Sequence, residues 1–174
     1  MVLSLKLKSN SNKIVVRKKY SCFIFGEGRK DTNFIKALRE LSKFKYHTGN
    51  WIFSDDNASG SSAKTILEKC KRRISSHDFD LILCLIDLDD IKHKYPKSWK
   101  KEKENLEKSY SNITIIWQIN SLEDELKKVI REQDSSKHKI NKIAKENIDK
   151  FINSSYWKRI LKPIQEREVK LKSM

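Results

Sequence analysis

The segment that decides the fold is LILCLIDLDD, residues 81 to 90. Its first six residues are all apolar, and such an unbroken run is typical of a parallel strand that is covered on both faces. Polar residues bound the run, with SSHDFD before it and DLDD after it. We therefore expect residues 81 to 86 to form a central strand of a parallel sheet.

Segments with strand and helix patterns alternate on both sides of this run. Short apolar runs predict three more strands: SCFIF at 21 to 25, NWIFS at 50 to 54 and NITIIWQI at 112 to 119. Apolar residues at helical spacing lie between and after them. This order indicates a compact, Rossmann-like α/β fold with a mainly parallel sheet, helices on both faces and a helical C-terminal extension.

The sequence predicts that the chain is organised in three parts. Residues 1 to 19 carry six basic residues and no acid, which predicts a basic arm or an edge strand. Residues 20 to 131 would form the α/β domain, and residues 132 to 174 would form helices packed on the same domain. Pro163 would kink or break the last of these helices.

Local signals place the ends of some helices. Asp31 or Thr32 is expected as the N-cap of the first helix, and Ser61 or Ser62 as the N-cap of the second. The segment DDNASGSS, residues 55 to 62, is expected to be a loop. The basic segment at 91 to 103 is expected to be irregular at its start.

The charge of the chain predicts a polyanionic partner. Lys and Arg total 38 against 23 Asp and Glu, so the net charge is +15. Such a charge favours nucleic acid through long-range attraction and counterion release, although a lysine-rich composition could also give only a solvated surface. No stretch approaches the roughly 20 apolar residues that span a bilayer, and the N-terminus lacks a signal-peptide pattern. We therefore expect no membrane partner and a cytoplasmic location.

The sulfur and imidazole side chains argue against a zinc site. The chain has three cysteines and no C-x-x-C pair, and its four histidines are scattered without metal-ligand spacing. Cys22, Cys70 and Cys84 fall on apolar strand or helix positions, so they are expected to be buried thiols in a reducing compartment.

Carboxylates follow three of the predicted strands. Glu27 stands between two glycines, Asp87 and Asp89 belong to DLDD, and Glu123 belongs to SLED. The carboxyl ends of parallel strands meet at one edge of a sheet, where ligands bind. Acids brought together there repel one another without a cation, and oxygen-only ligands suit Mg²⁺ or Mn²⁺. We therefore predict a metal site of Glu27, Asp87, Asp89 and Glu123, in which the first three are also catalytic.

Each acidic segment has a simpler interpretation as well. Glu27 could be a polar residue of a tight turn, and DLDD could be an ordinary junction between a strand and a loop. If strand geometry continues, Asp87 and Asp89 share a face and Asp90 points away. SLED contains an S-x-x-D capping box, which accounts for acids there without any metal.

Basic and aromatic side chains supply the expected contacts to nucleic acid. The candidate phosphate-binding residues are Lys64, Lys92, Lys94, Lys97 and Lys100, although a solvated face is the ordinary role of any single lysine. Trp99, Trp117 and Trp157 could stack on bases, with burial in the core the stronger expectation for Trp117.

Two segments together resemble a Toprim domain. FIFGEGRKDTNFIKAL is similar to the Toprim strand that ends in a glutamate beside glycine and leads into a helix, and LILCLIDLDD is similar to its later strand ending in Asp-x-Asp. The resemblance implies a compact α/β sheet with Glu27, Asp87 and Asp89 around Mg²⁺.

Within that superfamily the chain resembles the RloB-like group, which is related to OLD-family nucleases. FGEGRKDTNF, ASGSSAKTILEKC and IIWQINSLEDELKKVI carry this likeness over roughly residues 18 to 131. The last segment implies Glu123 as a further metal ligand, but it departs from the usual Asn-Pro stretch. No ATPase motif is present, so a complete OLD protein is excluded.

Three hypotheses for function follow. The first is a Mg²⁺-dependent nuclease that hydrolyses DNA or RNA, and the RloB-like resemblance implies a setting in phage defence. Nucleotidyl transfer would use the same carboxylates. The second is a Toprim module that binds nucleic acid without chemistry, as a homodimer or as a subunit of a defence complex. The third is an enzyme acting on a small nucleotide in a closed pocket.

Overall fold

The structure is a computed structural model that describes residues 19 to 40, 50 to 131, 142 to 143 and 146 to 174. The expected basic arm or edge strand lies outside the described residues, apart from Lys19. Residues 132 to 141, 144 and 145 of the expected C-terminal helices lie outside them too.

Four parallel strands form the sheet. They are β1 (Tyr20–Gly26), β2 (Trp51–Asn57), β3 (Leu81–Asp87) and β4 (Thr114–Gln118). Their order is β2-β1-β3-β4, and every neighbouring pair is parallel. The predicted α/β fold is confirmed, and the apolar run at 81 to 86 lies in an inner strand, as expected.

Seven helical segments surround this sheet in the described residues. They are α1 (Arg29–Glu40), α2 (Ala63–Ile74), α3 (Leu88–Lys94), α4 (Trp99–Ser109), α5 (Leu122–Ile130), α6 (Ile148–Phe151) and α7 (Ser155–Lys172). Two apolar clusters separate the helices by face. The first joins the sheet to α1, α5, α6 and α7, and the second joins it to α2, α3 and α4. The prediction of helices on both faces is therefore confirmed.

Strand β3 shows why the apolar run had to be unbroken. Leu83 and Leu85 pack in the first cluster, whereas Cys84 and Ile86 pack in the second. Successive side chains of a strand point to opposite faces, so both alternating sets must be apolar when both faces are covered. The three cysteines are buried free thiols, as predicted.

The C-terminal helix is part of the core. Tyr156, Trp157, Ile160 and Ile164 of α7 are buried in the first cluster. The helix continues through Pro163, so the expected alternative of a break is wrong, and buried side chains before and after the proline anchor both halves of the helix to the sheet. Trp157 is only 2% exposed, so the prediction that it could stack on bases is wrong. Trp117 lies in the core, as expected.

Three local predictions were wrong. Strand β2 continues to Asn57, which pairs with Gly26, so the loop begins later than residue 55. Helix α1 starts at Arg29, which places Asp31 and Thr32 inside the helix. The segment after β3 is helical from Leu88 to Lys94, because Leu88 and Ile91 are both buried at helical spacing. Ser62 caps α2, as one of the two expected alternatives.

Candidate metal and nucleic-acid site

A cleft of about 490 Å³ opens at the carboxyl edge of the sheet. Residues that follow all four strands line it, and four of them are acids: Glu27, Asp31, Asp87 and Glu123. The fold therefore gathers carboxylates from three separate strand ends, as a parallel sheet does at this edge. Asp31 was not among the residues predicted for the site.

Gly26 lets the chain turn sharply into the cleft. A Cβ atom added to Gly26 would lie 2.9 Å from Cβ of Asp31 and 3.1 Å from the carbonyl oxygen of Gly28. Side chains larger than hydrogen would force the backbone apart at this point. A Cβ on Gly28 would meet no atom closer than 3.8 Å. Of the two glycines beside Glu27, only Gly26 is required by close packing.

Asp31 is held by two hydrogen bonds beneath the cleft. The backbone N–H of Gly28 donates to Oδ2 at 2.9 Å, and Nε2 of Gln118 donates to Oδ1 at 2.8 Å. The same Nε2 lies 2.8 Å from the hydroxyl of Tyr156 on α7. Burial raises the pKa of Asp31, although these hydrogen bonds oppose the shift. An acid at the third residue of a helix often accepts a bond from the backbone N–H of the capping residue three positions earlier, and this pattern is the sequence signal that could have identified Asp31.

Glu27 and Asp87 face each other across the ends of β1 and β3. The backbone N–H of Asp87 donates to Oε2 of Glu27 at 3.4 Å. Burial raises the pKa of Glu27 to about 7, and the charges of nearby carboxylates add to the effect. Burial also raises the pKa of Asp87 to about 8, with Glu27 as the strongest neighbouring charge. Oδ1 of Asp87 is buried and has no hydrogen-bond partner among the described residues.

Asp89 and Asp90 lie on the first turn of α3 and not on a continued strand. The assumption that strand geometry carries Asp87 and Asp89 onto one face is therefore wrong. Oδ1 of the exposed Asp89 accepts a hydrogen bond from the backbone N–H of Asp90 at 2.7 Å. Its charge still raises the pKa of both Glu27 and Asp87. Oδ2 of Asp90 accepts from the backbone N–H of Ala63 at 3.3 Å, a structural role at the start of α2.

Glu123 lies at the rim of the cleft on the first turn of α5. Its carboxylate is 3.7 Å from Nζ of Lys30. Ser121 caps the helix, because its hydroxyl accepts from the backbone N–H of Asp124 at 3.3 Å. The expected cap is thus present, and it leaves Glu123 directed to the cleft that it lines.

The donors of the cleft suit a divalent cation by their chemistry but are not gathered closely around one point. Among the described residues, no group of three or more Asp, Glu, His or Cys side chains is arranged closely enough to hold a metal ion. The chemistry of the cleft nonetheless fits a hard cation, because its donors are carboxylate oxygens and Oδ1 of Asp87 is buried without a partner.

The predicted lysines have different surroundings. Nζ of Lys92 donates to the carbonyl of Ile119 at 2.8 Å and to Oδ1 of Asn120 at 2.9 Å, so it ties α3 to the end of β4. Lys92 and Lys100 also lie over the ring of Trp99, at 5.4 and 5.7 Å from its centroid. Lys64, Lys94, Lys97 and Lys100 are exposed.

In the described part of the chain, no helix is long and apolar enough to cross a membrane. No family model, curated protein or solved structure matches this chain. The likeness to Toprim and RloB-like proteins therefore remains a hypothesis carried by the quoted motifs. The fold is α/β with a four-stranded parallel sheet.

Proposed function

We propose that the protein is a nuclease that hydrolyses phosphodiester bonds of DNA or RNA with Mg²⁺ or Mn²⁺. The observation that carries this proposal is the gathering of carboxylates from separate strand ends in one cleft of a chain whose net charge is +15. A basic protein attracts a polyanion, and a bound cation would lower the repulsion between that polyanion and the carboxylates of the cleft.

Two features support a cation at this place. The raised pKa values of Glu27 and Asp87 mean that their charged forms are disfavoured in the protein alone. The buried Oδ1 of Asp87 has lost water without gaining a donor from the described residues, which is costly unless something binds it. Asp87, Glu27 and Asp89 would hold the ion, with Glu123 at the rim.

Each residue then has a specific task. A bound divalent cation would neutralise charge on the scissile phosphate and favour ionisation of a water molecule. Glu27, which lines the same cleft, would orient the attacking water and accept its proton. Arg29 and Lys30, which line the cleft, would hold flanking phosphates.

A cleavage panel tests the proposal. Labelled single- and double-stranded DNA and RNA are incubated with the protein in EDTA, Mg²⁺ or Mn²⁺. We expect cleavage of at least one substrate only with metal, and a loss of about 100-fold or more in Asp87→Asn. Asp78→Asn, an exposed acid before β3 at the opposite edge of the sheet, is the matched control and should keep full activity.

The open arrangement of the carboxylates favours one alternative, a Toprim-like module that binds nucleic acid without cutting it. No described group is already arranged to hold a metal, and Asp89 bonds to its own helix. Binding of nucleic acid without cleavage in any metal condition would support this alternative and reject the nuclease.

A further inference from the structure

A second cavity lies beside the acidic cleft and has the opposite charge. It has a volume of about 530 Å³, and its polar wall includes Lys69, Arg72 and Arg73. These three residues follow one another at positions i, i+3 and i+4 of α2, so they share one face of the helix. None of them was predicted as a binding residue.

The two cavities are separated by a single short loop. Asn57 and Ser59 line both of them. A ligand that crosses the loop therefore passes directly from basic side chains to carboxylates.

The loop is a fixed wall, held by backbone hydrogen bonds to the end of β1. The N–H of Ala58 donates to the carbonyl of Gly26 at 3.0 Å, and the N–H of Gly60 donates to the carbonyl of Glu27 at 2.8 Å. Ser59 and Gly60 both have positive φ, at 59° and 77°. The loop thereby connects the basic cavity to the residue that begins the acidic cleft.

Internal contacts hold two of the three cations in place. Nζ of Lys69 donates to the carbonyl of Ala58 at 2.8 Å and to Oγ of Ser61 at 3.1 Å. Nε of Arg73 lies 2.9 Å from the carboxylate of Asp56. Arg72 is exposed, and no described carboxylate pairs with its guanidinium, which has the planar donor geometry that suits a phosphate.

We propose that Lys69, Arg72 and Arg73 form a subsite for a backbone phosphate of nucleic acid, next to the phosphate that would lie at the carboxylates. The inference rests on the proposed function for the occupant of the acidic cleft. It also sets the path of the substrate: the strand crosses the loop at Asn57 and Ser59. Arg72 makes the principal contact, and Lys69 and Arg73 supply a positively charged wall.

Binding measurements without metal test this subsite separately from catalysis. The affinity for fluorescent single-stranded DNA and RNA is measured in EDTA against salt concentration, for wild type, Arg72→Gln and Lys71→Gln. Lys71 is the matched control, since it is exposed on the same helix but lines a different cavity. Both variants lose one positive charge.

We expect Arg72→Gln to weaken binding and to reduce the slope of log K against log salt by about 0.7, the value for one phosphate contact on a single strand. Lys71→Gln should leave that slope unchanged, and Arg72→Lys should restore most of the affinity. Equal slopes for Arg72→Gln and Lys71→Gln would overturn the subsite, as would the absence of binding by wild type.

The cleavage panel and the salt slopes together distinguish a failure of the subsite from a failure of the proposed nuclease function. If no substrate is cleaved but the slope changes only in Arg72→Gln, the subsite is correct and the nuclease proposal fails. If cleavage occurs but the two variants bind alike, the nuclease proposal is supported and the subsite is rejected.

Discussion

Strand β3 has an aspartate near each end, and the two side chains have opposite surroundings. Before the strand, Oδ2 of Asp80 accepts from the backbone N–H of Ser21 at 2.7 Å and is 3.1 Å from its hydroxyl. At the other end, Oδ1 of Asp87 is buried with no hydrogen-bond partner among the described residues. The comparison teaches that Asp80, at the amino edge, stabilises the fold by joining two strands. Asp87, at the carboxyl edge, has a buried oxygen whose desolvation costs free energy that no hydrogen bond from the described residues offsets.

Glu125 extends the comparison, because it is a buried acid that has both a hydrogen-bond donor and an ion-pair partner. It is 2% exposed, accepts from the backbone N–H of Ile119 at 2.9 Å and forms a short ion pair with Arg159 of α7. A buried acid can thus be structural in this protein when donors surround it. Among the acids proposed for metal binding, Asp87 differs from Glu125 most clearly, because its buried Oδ1 has no donor among the described residues.

The largest expected effect comes from removing the partner of Glu125. Arg159→Met should lower the free energy of unfolding by about 3 kcal/mol, because it leaves a buried carboxylate without its cation. Lys158→Met is the control, since Lys158 is an exposed neighbour on the same helix. Urea denaturation measures both variants, and equal stabilities would show that the pair does not hold α7 to α5.

A smaller loss is expected at the amino edge of the sheet. Asp80→Ala should cost about 2 kcal/mol, because the N–H and the hydroxyl of Ser21 both lose their acceptor. Asp78→Ala, two residues away and exposed, should change stability by less than about 0.5 kcal/mol. Denaturation at neutral pH in EDTA compares the two variants. Equal losses of stability in Asp80→Ala and Asp78→Ala would show that the bonds of Asp80 to Ser21 do not stabilise the fold. The contrast with Asp87 would then be lost.

The acidic cleft should make stability depend on pH in the absence of metal. The pKa values of about 7 for Glu27 and about 8 for Asp87 lie above the ordinary values near 4 of an unfolded chain. The folded state therefore binds more protons than the unfolded state between about pH 4 and pH 8, so stability falls as the pH rises through this range.

Asp87→Asn provides the test of this pH effect. It removes one titrating group and relieves the charge on Glu27, so its stability should fall less steeply between pH 5 and pH 8 than that of wild type. Denaturation curves in EDTA at several pH values measure the two slopes. Parallel slopes would contradict the raised pKa values and the interpretation of the cleft as electrostatically strained.

The sequence predicted those features that depend on local patterns. The apolar run at 81 to 86 identified the inner strand, and the glycine before Glu27 marked the sharp exit from β1. The prediction that Asp89 shares a strand face with Asp87 was wrong. Whether the chain continues as a strand or turns into a helix after Asp87 depends on what buries Leu88 and Ile91. That information belongs to the packing of α3 and not to the spacing of the acids.

The sequence did not identify Asp31 or Arg72 as residues beside the cleft. Asp31 depends on a contact that is distant in sequence, and Arg72 is an exposed residue of a helix. Asp31 receives its second hydrogen bond from Gln118, 87 positions away, so its place beneath the cleft depends on the assembled sheet. Arg72 looks like an ordinary exposed arginine of an amphipathic helix. Only the folded loop at 57 to 60 brings its helix face beside the acidic cleft.

The smallest change is expected for Asp89→Asn in the absence of metal. Asp89 is exposed, and its charge raises the pKa of Glu27 and Asp87, so removing that charge relieves repulsion in the cleft. We expect the mutant to equal wild type in stability or to exceed it by up to about 0.5 kcal/mol. An asparagine can still accept the hydrogen bond from the backbone N–H of Asp90.

Addition of Mg²⁺ or Mn²⁺ then separates the two interpretations of Asp89. If it is a metal ligand, the ion should raise the melting temperature of wild type by mass action and raise that of the mutant much less. Asp90→Asn is the control, because it removes the same charge from a residue that contacts the start of α2, and it should keep the response to metal. If Asp89 serves only its helix, Asp89→Asn will melt below wild type and both proteins will respond equally to the ion. Thermal melts of the three proteins, with and without metal, decide whether Asp89 is a structural acid, like Asp80 and Glu125, or a metal ligand, as proposed for Asp87.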